Sequence, residues 1–177
     1  AGNWICQNWQ VGTKVEATAP MGEFCYEELR DAPAVLGAAG GSGITPFLSM
    51  ARAIAEGGED FSLTLLYGSR DSGSILFKEE LDAIAAACDK VKVVHVLSDE
   101  AAEGCEHGVI DARLIEKYAP ETYSLFVCGS GGMSRFVCAE AKKLSLTKKY
   151  LREKIYNATV PQLEEGWDTS LADKRFT

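Results

Sequence analysis

Two glycine-rich stretches carry residue types suited to holding a diphosphate. The first is GGSGITP, Gly40 to Pro46, which follows the apolar run Ala34 to Ala39 and precedes TPFLSMARAIAE. In that second segment Phe47, Met50, Ala51 and Ile54 recur at helical spacing, and Pro46 sits in the first turn, where its missing N–H costs little. Glycines at such a junction permit positive φ and let a ligand approach the backbone. The first-turn N–H groups of the helix are unpaired, and its dipole presents positive charge to the same place. Gly40, Gly41, Ser42, Gly43, Ile44, Thr45 and Pro46 are therefore expected to cradle a pyrophosphate. A plain tight turn is the other reading of the glycines; the strand before and the helix after favour phosphate. The second stretch is CGSGGM, Cys128 to Met133, at the end of another apolar run. In an open sheet, ligands bind beyond the carboxyl ends of the strands where strand order reverses, so the two turns are expected to converge on one crevice. Cys128, Gly129, Ser130 and Met133 form its second wall. Cys128 is the candidate catalytic position, facing the reactive end of a nicotinamide; a small buried hydrophobe is the alternative for it.

Between these turns, YGSR at Tyr67 to Arg70 closes a third run, where the adenosine ribose of a dinucleotide would lie. A 2′-phosphate favours Arg and Ser there, whereas NAD-selective sites place a carboxylate. Ser69 and Arg70 thus favour NADPH slightly over NADH, with Asp71 next in line; a simple exposed charge is the other reading of Arg70. His95 lies inside an apolar run and His107 in a loop, with no second ligand at metal spacing, so no metal site is expected. Trp4 and Trp9 read as packing residues.

The elements that must position these turns alternate regularly. Strands are predicted over Ala34 to Ala39, Ser62 to Tyr67, Val91 to Leu97, Leu125 to Cys128 and Tyr150 to Tyr156. Helices are predicted over Thr45 to Glu56, Ile75 to Cys88, Asp111 to Tyr118 and Ser130 to Leu144. The fold class is α/β, a doubly wound five-stranded parallel sheet over residues 33–156. Residues 1–32 contain a strand-like Val11 to Pro20 between turn residues and read as the tail of an all-β domain. Residues 157–177 are polar, with Pro161 and Gly166, and read as a linker.

Composition narrows the partners. A formal charge of −8, from 18 basic and 26 acidic residues, disfavours nucleic acid. The basic stretch Lys142 to Lys154 reads as a solvated face. No apolar run reaches the ~20 residues that span a bilayer. Six cysteines, none in a CxxC pair, read as free thiols and fit a cytoplasmic setting.

GGSGITP, YGSRD followed by ILFKEEL, and CGSGGM, in this order and spacing, resemble the pyridine-nucleotide lobe of the ferredoxin–NADP reductase superfamily, including its oxygenase-reductase branch. The resemblance implies a flavin-dependent oxidoreductase that takes hydride from NAD(P)H onto FAD. It places Gly40 to Pro46 on the pyrophosphate, Ser69 and Arg70 by the adenosine ribose, and Cys128 and Gly129 by the nicotinamide. GNWI at Gly2 to Ile5 and PMGEF at Pro20 to Phe24 resemble the end of the family's flavin-binding barrel, whose arginine–aromatic–serine motif this sequence lacks. The tail ending in DKRFT resembles the approach to a plant-type ferredoxin domain, which implies a two-iron two-sulfur cluster and flavin and ferredoxin-type domains in the same polypeptide. Where the family has proline after the cysteine and glycine, this chain has Ser130. A nucleotide-sensing or interaction module with the same fold and no redox step is the rival reading.

Overall fold

The computed structural model describes residues 2–19, 21–144 and 150–155, and the chain divides into two units, Ala1–Glu23 with Ala158–Thr177, and Phe24–Asn157. The linker expected over 157–177 and the last residue of the final predicted strand lie outside the described residues. In the first unit Gly2–Asn8 forms helix α1, with the Asn8 side chain donating to the Trp4 carbonyl at 2.7 Å. The strand expected over Val11 to Pro20 does not appear over the described residues 11–19, and Val11 is fully exposed. A strand needs a neighbour for its backbone N–H and C=O groups, and an alternating pattern cannot supply one.

In the second unit the strands are β1 (Ala34–Gly40), β2 (Ser62–Ser69), β3 (Val91–Leu97), β4 (Glu106–His107), β5 (Ser124–Gly129) and β6 (Leu151–Ile155). They form one parallel sheet in the order β4-β3-β2-β1-β5-β6. The connecting helices are α2 (Thr45–Ala55), α3 (Lys78–Ala87), α4 (Ala112–Tyr118) and α5 (Gly131–Lys143). Five strands were expected; the sixth, β4, is two residues long with no apolar run to announce it. It is held by pairing with Val96 and Leu97 and by Glu106, which accepts from Lys117 and the Tyr118 hydroxyl.

The two-residue period of the strands sorts side chains to the two faces. Val35, Ala39, Leu63, Leu65, Phe126 and Cys128 bury against Phe47, Ala51 and Ile54 of α2 and Leu81 of α3. The residues between them, Leu36, Ala38, Leu66, Leu125 and Val127, bury against Leu114 and Ile115 of α4 and Val137 and Ala141 of α5. Each fully buried Leu, Ile or Phe contributes roughly 2 kcal/mol, so both layers are anchored to the sheet. Helix α3 starts at Lys78 rather than at Ile75. Ser72–Ser74 form a 3-10 turn closed by a reciprocal Asp71–Ser74 capping box, Ile75 is extended and buried, and Phe77 sits in the left-handed region at φ 57°.

Residues 24–32, read from the sequence with the preceding segment, pack onto the α/β body. Phe24 lies 5.8 Å from the Phe47 ring and 5.3 Å from that of Phe126, and Tyr26 stacks on Phe61 at 4.1 Å. Asp31 is fully buried and takes a two-pronged pair from Arg152 of β6, Nε to Oδ1 at 3.0 Å and Nη2 to Oδ2 at 2.6 Å. Glu27 accepts from the same guanidinium at 3.3 Å.

Strand order reverses at β1, which has β2 on one side and β5 on the other. There the 3-10 turn Gly41–Ile44 presses on the end of β5: a Cβ on Gly43 would lie 2.1 Å from the Cys128 carbonyl oxygen and 2.8 Å from the Gly129 Cα.

Two outcomes follow from these contacts. Arg152→Met leaves the buried Asp31 carboxylate unpaired and should lower stability by about 3 kcal/mol in urea titration, with Asp31→Leu added to it restoring at least half; a loss below about 1 kcal/mol would contradict the pair's role. Gly43→Ala must push two backbone segments apart and should cost at least about 3 kcal/mol in the same assay, whereas Gly41→Ala, with open space but φ +52°, should cost only about 1 kcal/mol.

Candidate functional site

A cavity of about 850 Å³ opens at the carboxyl ends of β1, β2, β3 and β5, across the point where strand order reverses. Its floor is the first glycine turn. Gly40, Gly41 and Ser42 line it, with Gly41 in the left-handed region at φ +52°. The rest of the motif has other duties. Gly43 makes room for the β5 backbone, Ile44 is fully buried in the core, and the Thr45 hydroxyl donates to the Ser42 carbonyl at 3.1 Å, closing the turn. Pro46 sits in the first turn of α2, and neither it nor Thr45 lines the cavity.

The second turn forms the facing wall through Gly129, Ser130, Gly132 and Met133. Ser130 adopts φ −62° and ψ 151°, the φ that a proline ring would impose, and its hydroxyl accepts the Met133 N–H at 3.3 Å as the N-cap of α5. Ser130 thus holds a φ open to proline and adds a cap that proline could not supply. Met133 ties the two turns together: a Cβ would meet its sulfur at 2.2 Å from Gly40 and at 2.6 Å from Gly129. Cys128 lies one residue behind this wall, fully buried in the apolar cluster under α2, and does not line the cavity.

The third side comes from the end of β2 and the loop after β3. Ser69, Arg70, Ser74 and Ser98 line it, and Arg70 is the one charged side chain among the cavity-lining residues. The Ser69 hydroxyl is buried without a hydrogen-bond partner of good geometry. Three carboxylates stand nearby and each is engaged elsewhere. Asp71 caps its own 3-10 turn, Asp99 accepts from the Ser98 hydroxyl at 2.6 Å, and Glu100 accepts from the Ser72 N–H at 2.7 Å and from its hydroxyl at 3.2 Å. Those two donors hold the Glu100 carboxyl below its ordinary range. Ladder-like bonds from the Ser98 N–H to the Ser69 carbonyl and from the Asp99 N–H to the Arg70 carbonyl keep the two loops side by side.

Sequence reasoning missed Ser74, Ser98, Gly108, Val109, Ile110 and Phe136, all of which line the cavity. Val109 and Phe136 expose 53% and 42% of their surface, large fractions for apolar side chains in a concave site. The available signals were positional: Phe136 lies three residues after Met133 on the same helical face, and Val109 follows a glycine at φ +115° beyond β3. His95 corrects a separate reading. It does have a carboxylate partner, Asp82 of α3, with Nε2 and Oδ1 2.8 Å apart, and neither residue lines the cavity.

A family model described as an oxidoreductase NAD-binding domain matches residues 38–139. The ferredoxin reductase component of 3-ketosteroid-9-alpha-monooxygenase from Mycobacterium tuberculosis is 40% identical over 133 residues, 74% of this chain and 35% of that protein. The component of the same name from Rhodococcus rhodochrous is 31% identical over 158 residues, 88% of this chain and 43% of that protein. The chain therefore spans less than half the length of these curated relatives. Among solved structures, the FAD/NAD-binding domain of nitric oxide dioxygenase from Vibrio cholerae superposes with a TM-score of 0.75 at 25% identity, covering 87% of this chain and 63% of that one. The switch-point cavity with its two glycine turns and the family match over more than half of the residues lead to one assignment: the chain belongs to the oxidoreductase NAD-binding domain family and is the nucleotide-binding lobe of a ferredoxin–NADP reductase-like protein.

Proposed function

We propose that this lobe holds NADPH for hydride transfer to a flavin, within a longer reductase that passes electrons on singly to an iron–sulfur partner. The observation that carries the reading is the convergence of the β1 and β5 turns on one cavity, each followed by a helix N-terminus. Gly40, Gly41 and Ser42, with Gly129, Ser130 and Gly132 opposite, offer backbone to a pyrophosphate that side chains would otherwise block. Gly43, Ile44, Thr45 and Pro46 serve by fixing that turn rather than by touching the ligand. The half-exposed faces of Val109 and Phe136 supply apolar surface for the adenine ring. Arg70 and the Ser69 hydroxyl suit a 2′-phosphate, while the hydroxyls of Ser74 and Ser98 are given to the Asp71 carbonyl and the Asp99 carboxylate and the neighbouring carboxylates are turned to donors of the fold.

When bound, the nicotinamide supplies a hydride and the flavin accepts it. The residues of this chain contribute alignment and exclusion of water. Cys128 is assigned a positioning role: from its buried place behind Gly129 it shapes the wall at the nicotinamide end and moves no proton. The flavin is assigned to other parts of the longer protein, because its arginine–aromatic–serine motif is missing from this sequence. The ferredoxin-type partner is supported by the names of the monooxygenase reductase components to which the chain is similar. A cytoplasmic setting is supported by six free cysteines. Among the described residues no helix is long and apolar enough to cross a membrane.

Calorimetric titration of the chain with each coenzyme tests the assignment. NADPH should bind at least about tenfold more tightly than NADH, about 1.4 kcal/mol, and Arg70→Ala should remove that difference; a tenfold preference for NADH would refute it. Phe136→Ala should weaken both coenzymes alike, by about 1 kcal/mol, because the base is common to them.

A further inference from the structure

Among the described residues Tyr67 is the largest of the fully buried side chains, third from the carboxyl end of β2 with Ala39 and His95 as its register neighbours. Its ring belongs to the core under α2 and α3, where phenylalanine would pack as well. The hydroxyl therefore needs a separate account, since a buried hydroxyl is costly unless bonded. Two of its bonds leave the sheet, and the Ser69 hydroxyl of the same strand is a third, closer neighbour in the chain. The Tyr67 hydroxyl donates to the Gly41 carbonyl at 3.3 Å and accepts the Leu76 N–H at 3.1 Å. Gly41 is the left-handed residue of the phosphate turn, flanked by the cavity-lining Gly40 and Ser42; Leu76 follows the cavity-lining Ser74 by two residues. Burial pushes the phenol above its ordinary range, so the O–H donor persists at neutral pH.

We propose that the Tyr67 hydroxyl is a strut between the phosphate turn and the ribose-side loop, and thus a positioning residue that fixes the spacing at which one dinucleotide engages both. The assignment rests on the nucleotide-binding reading above. A ligand that bridges two loops gains affinity when their separation is set in advance, because less freedom is lost on binding. Tyr67 itself does not line the cavity, so its effect on affinity passes through Gly41 and Leu76.

The test is NADPH titration of the full chain, wild type against Tyr67→Phe and against Ile115→Val, a core change on the opposite face of the sheet that loosens packing without touching either loop. Tyr67→Phe should raise Kd about tenfold, and Ile115→Val should leave it within twofold. A Tyr67→Phe protein that binds as tightly as wild type, or an Ile115→Val protein that loses as much, overturns the strut while leaving the binding reading intact. A wild type that binds neither coenzyme overturns that reading and the strut with it. Should Tyr67→Phe fail to fold, amide exchange in the wild type decides: saturating NADPH should slow exchange at Leu76 by about tenfold, since coupling between ligand and strut is reciprocal, and an unchanged rate overturns the proposal.

Discussion

The site depends on a contact with no side chain in it. At Gly43 the backbone of the first turn meets the Cys128 carbonyl so closely that a Cβ would lie 2.1 Å from that oxygen. That approach brings the tips of β1 and β5 together, and with them the starts of α2 and α5. Met133 then fills the space that the missing side chains of Gly40 and Gly129 leave. The meeting of the two turns at one cavity is a consequence of these three glycines more than of any polar residue, because what the turns present there is backbone.

Around this fixed centre the loops are held by polar bonds rather than by burial. Glu100 fastens Ser72, the Glu106 carboxylate fastens β4 to α4, and the Glu140 carboxylate accepts the Ala112 N–H at the start of α4. Each bond keeps its carboxylate ionised and directed at a donor of the fold, and none of the three lines the cavity. In a chain of formal charge −8, that disposition leaves Arg70 as the charge a nucleotide meets on entering. The buried Asp31–Arg152 pair plays the corresponding part at the far edge, tying the entering segment to β6.

Most of the architecture was legible because it rests on periodic apolar residues: all five predicted strands and all four predicted helices of the α/β body are present, shifted by a few residues at their ends. The failures have physical causes. The Val11 to Pro20 segment had the pattern of a strand and no neighbour to pair with. Strand β4 has a neighbour and no pattern. The start of α3 was misplaced because Ile75 reads as a helical core position, yet its burial is reached from an extended backbone before the left-handed Phe77. At the site, GGSGITP and CGSGGM were found because strand, glycine and helix lie consecutively in the chain. Their division into ligand-facing and packing residues was not legible, since Gly43 and Gly40 are the same letter in different surroundings. Val109, Ser98 and Phe136 come from loops and a helix face that only the sheet order brings to one cavity, and His95 finds Asp82 across a helix–strand contact 13 residues away.

The central claim is that the two turns act as one site. Titration of the labelled chain with NADPH, followed through the backbone amide resonances of Gly41, Ser42, Gly129 and Gly132, tests it most directly. All four should shift along one binding curve with a single Kd. Movement at one turn alone, or at neither, would contradict it.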